Sequence, residues 1–177
     1  MEQTVQTIYW TIFENEIQPL LLAATDKGLC YAGAPGNGNE ASEELIQKRY
    51  PSARLIKDQE PLNPYMAQFG EYLKGSRTAF SLCLDSEGTV FQESVWVALR
   101  EIPYGKTVCY SDIANKIGKP TAVRAVGAAI GANPVLIAVP CHRVIGKDGS
   151  MTGFREGLEM KQFLLELEKV NTGLVPS

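Results

Sequence analysis

Histidine is the scarcest chemistry-bearing residue in this chain: one, His142, among 177 residues. The four cysteines, Cys30, Cys83, Cys109 and Cys141, stand far apart and form no CxxC pair. With one histidine to complete a ligand set, a zinc site is not expected, and neither is any other metal or cofactor. No stretch reaches 18 uninterrupted apolar residues, and Met1–Thr4 opens no basic region followed by an apolar run. Membrane insertion and export are therefore not expected. Four cysteines without an export signal read as reduced thiols of a cytoplasmic protein. No internal repeat is visible. The hydrophobic fraction of 45% and charged fraction of 21% belong to a folded globular chain long enough to bury a core.

An excess of positive charge is also missing, since the formal net charge is −3. The average hides a pattern. Residues 1–99 hold 7 Lys or Arg against 13 Asp or Glu, residues 100–155 hold 8 against 3, and residues 156–177 hold 2 against 4. A basic middle in an acidic chain can place a positive patch on one face, suited to a polyanion, though it also fits an ordinary solvated surface.

The first half reads as mixed α and β. Runs at Ile8–Phe13, Leu20–Ala24 and Leu29–Ala32, with a turn at Asp26-Lys27-Gly28, predict an antiparallel meander. Helices are expected over Glu43–Tyr50 and Pro64–Leu73, and a further strand over Thr78–Leu84. This half shows no site chemistry and reads as support. A polar break at Asp85-Ser86-Glu87-Gly88 sets the expected boundary, giving residues 1–85 and 86–177. Beyond it the pattern turns helical: Phe91, Val95, Leu99 and Ile102 recur at helical spacing. Ser111–Ile117 and Ala122–Ala132, parted by Gly118-Lys119-Pro120, resemble a helix-turn-helix. The second of these helices has few large side chains. Arg124 alone could reach bases, so it reads equally as a helix lying close to a DNA backbone or minor groove, or as one packed inside the domain. A last helix over Gly157–Lys169 has the core stripe Met160, Phe163, Leu164 and Leu167, with Glu168 at its margin. The fold class expected is α+β: an N-terminal domain with an antiparallel sheet, then a mainly helical domain with a helix-turn-helix of winged-helix type.

In Pro140-Cys141-His142-Arg143 the single histidine adjoins a cysteine. A thiol whose proton a neighbour accepts is a strong nucleophile. Alone, the dipeptide reads more simply as a buried small hydrophobe beside a structural histidine. Consecutive side chains in a strand also point to opposite faces, so a working pair needs a turn after Val139 or a bridging water.

Phe91-Gln92-Glu93-Ser94-Val95-Trp96, Ile102-Pro103-Tyr104-Gly105-Lys106-Thr107, Arg124-Ala125-Val126-Gly127, Asn133-Pro134 and Pro140-Cys141-His142-Arg143-Val144 resemble the O6-alkylguanine-DNA alkyltransferases in order and spacing. The likeness runs from about Thr89 to Glu168. It implies stoichiometric repair of double-stranded DNA by a monomer bound in the minor groove. An O6-alkylguanine is flipped out and its alkyl group moves irreversibly to Cys141, with O4-methylthymine as a second substrate. On the same likeness His142 withdraws the thiol proton through water, Glu168 fixes the imidazole, Tyr110 gives a proton to the guanine, and Asn133 braces the turn. Carbonyls of Cys141 and Val144 meet the exocyclic amine, Met151 and Phe154 wall the pocket, and the Arg155 N–H contacts O6. Arg124 fills the gap left by the base, with Ala125, Ala128, Ser111 and Thr121 also on the DNA face.

The sequence departs from the family where tyrosine is frequent (Phe154), where serine or glycine is common (Arg155), and at Cys109, a usual serine. Two rival classes are a lesion recogniser that does not transfer the alkyl group, in whose relatives the acceptor cysteine is replaced, and a cysteine hydrolase, which needs a hydrolysable acyl-enzyme.

Overall fold

The computed structural model describes residues 5–172; Met1–Thr4, read above for an export signal, lies outside them. Strands β1 (Thr7–Phe13), β2 (Leu20–Ala24) and β3 (Leu29–Gly33) form the expected antiparallel meander. Helix α1 (Asn39–Arg49) then returns the chain so that β4 (Arg54–Lys57) pairs parallel to β1, for the order β3-β2-β1-β4. The sheet is thus mixed, not purely antiparallel. A helical crossover is what lets a parallel neighbour form, and β4 has only four residues with no apolar run to announce it.

Both faces of the sheet are covered, which is why β2 and β3 are buried at every position. Leu21, Ala23, Ile8 and Trp10 pack with Ile46 of α1. Leu20, Leu22, Ala24, Leu29 and Ala32 face the larger core, shared with Phe69, Tyr72 and Leu73 of α2 (Asn63–Leu73) and with the C-terminal helices. The expected strand over Thr78–Leu84 does not form: only Leu84 bridges, to Leu29. Beside it, Val135 bridges to Ala32, with Ala32 N–H donating to the Pro134 carbonyl (2.9 Å) and Leu136 N–H to the Ala32 carbonyl (3.0 Å). The edge of β3 is therefore satisfied by the segment that leads to Cys141, which ties the N-terminal sheet to the candidate site.

Helix α3 (Val90–Arg100) begins at a capping box, where Thr89 accepts from the Gln92 N–H (3.1 Å) and the Gln92 side chain accepts from the Thr89 N–H (3.0 Å). It packs against α4 (Tyr110–Lys116) and α5 (Val123–Gly131). Trp96 Nε1 donates to the Ala129 carbonyl of α5 at 2.9 Å. The pair α4–α5 is the expected helix-turn-helix. Short strands β5 (Val108–Cys109) and β6 (Val144–Ile145) pair in parallel, and α6 (Leu158–Thr172) closes the described chain. No helix among the described residues is long and apolar enough to cross a membrane.

Candidate active site

The turn that the Cys-His pair requires is present. Pro140 leads into a single 3-10 turn, Cys141–Arg143, whose three side chains are buried. Its approach is constrained twice. Ile137 has φ of +73°, the one positive φ outside glycine among the described residues, a costly conformation for a β-branched residue. Asn133 holds the loop closed across it: Nδ2 donates to the Val139 carbonyl (2.9 Å) and Oδ1 accepts from the Val135 N–H (3.0 Å). Asn133 is itself 1% exposed, so it sits where a brace between α5 and the 3-10 turn would sit.

From this turn the chain projects His142 and Arg143 onto Glu168 of α6. His142 Nε2 lies 2.6 Å from Glu168 Oε2. Arg143 donates from Nε to Oε1 (2.8 Å) and from NH2 to Oε2 (3.0 Å). The Gly105 N–H gives Oε1 a further bond at 3.0 Å. Gly105 has φ of +80°, and a Cβ there would press against Thr172, so a side chain at this position would push the donor away. The hydroxyl of Tyr72, from α2, also donates to Oε2 and lies 3.3 Å from His142 Nε2. Glu168, expected at the margin of its helical stripe, is instead fully buried. A buried carboxylate is tolerable only with such pairing.

Electrostatics follow from these contacts. Burial alone would raise the Glu168 carboxyl, but hydrogen bonds from His142, Arg143 and Tyr72 outweigh it and hold it at about 2. Burial lowers His142 below the ordinary imidazole value, against the pull of Glu168. The ring is thus neutral near pH 7, with the proton on Nε2 facing the carboxylate. Nδ1 has no hydrogen-bond partner among the described residues and presents a lone pair. Burial pushes the Cys141 thiol up, with Asn133, Arg155 and Lys161 drawing it part of the way back.

The remaining expected residues lie on the segment that follows the turn and on and between α4 and α5. The Cys141 carbonyl accepts from the Val144 N–H, and the Val144 carbonyl from Lys161 Nζ at 2.6 Å. Each keeps a second lone pair. Tyr110 opens α4 with its hydroxyl 2.6 Å from Thr152 Oγ1, which links it to the segment carrying Met151 and Phe154. Phe154 packs on the core; Met151 is exposed. The Arg155 side chain turns toward the N-terminal half. It stacks on Tyr31 (5.7 Å), pairs with Glu156 (2.7 Å) and donates to the Asn133 carbonyl (3.0 Å). Helix α5 buries one face and leaves the other open: Val126, Ala129 and Ile130 are buried, whereas Arg124, Ala125 and Ala128 are exposed. Thr121 is exposed and Ser111 half-buried. Cys109 caps α4, its thiol 3.0 Å from Asp112 Oδ2. No three His, Cys, Asp or Glu side chains cluster as a metal set among the described residues. A cavity of about 360 Å³ lies behind the turn, against Pro140, Arg143, Tyr104 and Phe80, and Cys141 does not line it.

Three residues of this network were not expected from sequence. Tyr72 corrects the reading of the N-terminal half as free of site chemistry. Arg143 adjoins His142 but reads as one more basic residue, and Lys161 lies in a helix whose pattern suggests a solvated face. Only the position of Arg143 beside the Cys-His pair offered a signal.

Two family models account for most of the chain. Residues 8–86 match the ribonuclease-like domain of 6-O-methylguanine DNA methyltransferase, and residues 90–170 match its DNA binding domain. The chain belongs to this family. It is 52% identical over 169 residues to the inducible methylated-DNA–protein-cysteine methyltransferase of Bacillus subtilis (strain 168), covering 96% of this chain and 94% of that protein. To the methylated-DNA–protein-cysteine methyltransferase of Methanosarcina acetivorans it is 44% identical over 161 residues, 91% of this chain and 98% of that one. The crystal structure of Mycobacterium tuberculosis O6-methylguanine methyltransferase superposes with a TM-score of 0.79 at 38% identity, over 93% of this chain and 94% of that chain. That enzyme has also been solved in complex with DNA, with the same TM-score and coverage.

Proposed function

We propose that this protein repairs DNA by direct reversal, transferring the alkyl group of O6-alkylguanine to Cys141 in a single irreversible turnover. The observation that carries the reading is the junction of Cys141 and His142 in one turn, with His142 Nε2 on Glu168 at 2.6 Å and Nδ1 left free to accept a proton.

In the resting protein the thiol is protonated, because burial disfavours the thiolate. Its proton passes through a water to His142 Nδ1. The resulting imidazolium is stabilised by Glu168, which stays anionic and takes no proton itself, since five donors converge on it. The thiolate attacks the alkyl carbon opposite O6; the carbon–oxygen bond breaks, its electron pair passes into the guanine, and Tyr110 returns a proton to the base. Sulfur is left as a thioether, which water cannot displace, so each molecule acts once.

A base inside a duplex cannot reach a turn this buried, so the guanine must be extruded. The exposed Arg124, Ala125 and Ala128 let α5 approach a narrow groove, with Arg124 filling the gap. Carbonyls of Cys141 and Val144 receive the exocyclic amine, Met151 and Phe154 wall the base, and the Arg155 N–H meets O6. O4-methylthymine is included as a second substrate. Within this reading residues 86–177 form the DNA-binding and transfer domain, with a helix-turn-helix of winged-helix type, and residues 1–85 support it. Work in the cytoplasm fits the four free thiols.

The test compares wild type with Cys141→Ala on a duplex containing one O6-methylguanine. Wild type restores guanine once per protein molecule, and Cys141→Ala binds the duplex without restoring it. Equal restoration by both overturns the assignment, and tight binding without restoration by wild type favours a lesion recogniser.

A further inference from the structure

The N-terminal half contributes one polar atom to the catalytic network. Tyr72 is fully buried on α2. Its ring is set between Phe80 (5.4 Å, 31°) and Tyr104 (6.1 Å, 85°), and Arg143 lies over the Tyr104 ring at 5.6 Å. Buried among these rings, its hydroxyl meets Glu168 Oε2 and, at 3.3 Å, His142 Nε2. The same end of α2 is tied to α6 a second time, where Asn171 Nδ2 donates to the Gly75 carbonyl (2.9 Å) and the Tyr104 hydroxyl (2.9 Å).

We infer that Tyr72 is a positioning residue for alkyl transfer: its hydroxyl, delivered from the N-terminal half, holds Glu168 Oε2 in the plane of the His142 ring and so aims Nδ1 at the thiol. The inference rests on the transfer reading above. Tyr72 touches neither substrate nor the reacting sulfur and acts through Glu168. Burial and the neighbouring carboxylate raise its phenol, so it serves only as a donor. The charged and titratable groups around His142 are Glu168 and Lys161 from α6, Cys141 and Arg143 from its own turn, and Tyr72 from α2, with Tyr104 behind them. Of these, Tyr72 is the neutral donor that shares Oε2 with the imidazole. Removing it leaves Oε2 a stronger acceptor for Nε2–H, which favours the imidazolium.

Tyr72→Phe in the full chain keeps the ring and deletes the oxygen. Because His142 is the only histidine, 15N-histidine labelling gives one imidazole spectrum that reads tautomer and titration without any DNA. The expected result is an imidazole titration moved up by about half a pH unit or more. Methyl transfer at pH 7 should slow by about tenfold, the order expected of a misplaced catalytic group. Lesion binding, measured with Cys141→Ala in both backgrounds, should stay within about twofold. In Glu168→Gln, adding Tyr72→Phe should change neither transfer nor titration further. An imidazole titration and transfer rate unaltered by Tyr72→Phe overturn the inference, as does an undiminished effect in Glu168→Gln. Failure of wild type to transfer overturns the function proposed above instead, and the imidazole titration still decides the role of Tyr72.

Discussion

Arg143 grips both oxygens of Glu168, with Nε on Oε1 at 2.8 Å and NH2 on Oε2 at 3.0 Å, and spends its remaining nitrogen on the Ile102 carbonyl at 2.6 Å. One side chain therefore fixes the carboxylate and joins the 3-10 turn to the end of α3. The fork geometry is particular to a guanidinium.

Arg143→Leu leaves a buried anion without its cation. Loss of about 3–5 kcal/mol is expected on that ground, read as a lower urea midpoint. Arg143→Lys should recover only part, because an ammonium cannot bond both oxygens and Ile102 together.

Acid should unfold the protein in two steps. His142 lies below its ordinary value, so charging it opposes the fold as pH falls through about 6.5 and lower. Glu168, at about 2 against an ordinary 4.5, gives stability that is complete above 4.5 and is lost as pH drops toward 2, worth about 3 kcal/mol. Urea midpoints at pH 7, 5 and 3 measure both steps. Glu168→Gln should be weaker at pH 7 and lack the lower step.

Asn133→Ala removes both bonds that close the loop over Ile137. It leaves the buried Val135 N–H unpaired and a strained residue unheld, while the Val139 carbonyl keeps the Cys141 N–H (2.8 Å), at a cost of about 1–3 kcal/mol. Transfer by the folded fraction should slow more than lesion binding weakens, as single-turnover rates and binding isotherms will show.

Arg124 is exposed on α5, and Arg124→Ala should leave stability within about 0.5 kcal/mol. Transfer from a duplex should fall by roughly tenfold, whereas transfer from a single strand, where no gap needs filling, should fall much less.

The helices of the second half were legible because their apolar spacing and their ends agree. Phe91, Val95, Leu99 and Ile102 recur at helical spacing along α3, and Gly118-Lys119-Pro120 breaks α4 from α5. Cys141, His142 and Glu168 were legible only through the family resemblance, since spacing alone places Glu168 on a helix margin and leaves the Cys-His pair ambiguous. What escaped the sequence was long-range. β4 pairs with β1 across some 45 residues, as Arg54 opposite Thr7 shows. Thr78–Leu84 has strand composition, but β3 accepts only Leu84 because Val135 occupies the neighbouring stretch of the same edge. Tyr72 bonds a residue 96 positions away, and nothing in its helix sets it apart from a core aromatic.

The central claim is that one sulfur, on Cys141, accepts the alkyl group. Incubation with excess duplex carrying a single O6-methylguanine, followed by peptide mapping by mass spectrometry, tests it directly. One methyl group per protein, on the peptide containing Cys141, is the predicted result, with Cys30, Cys83 and Cys109 unmodified. Methylation at Cys109 in its place, or repaired duplex with Cys141 still a free thiol, contradicts it.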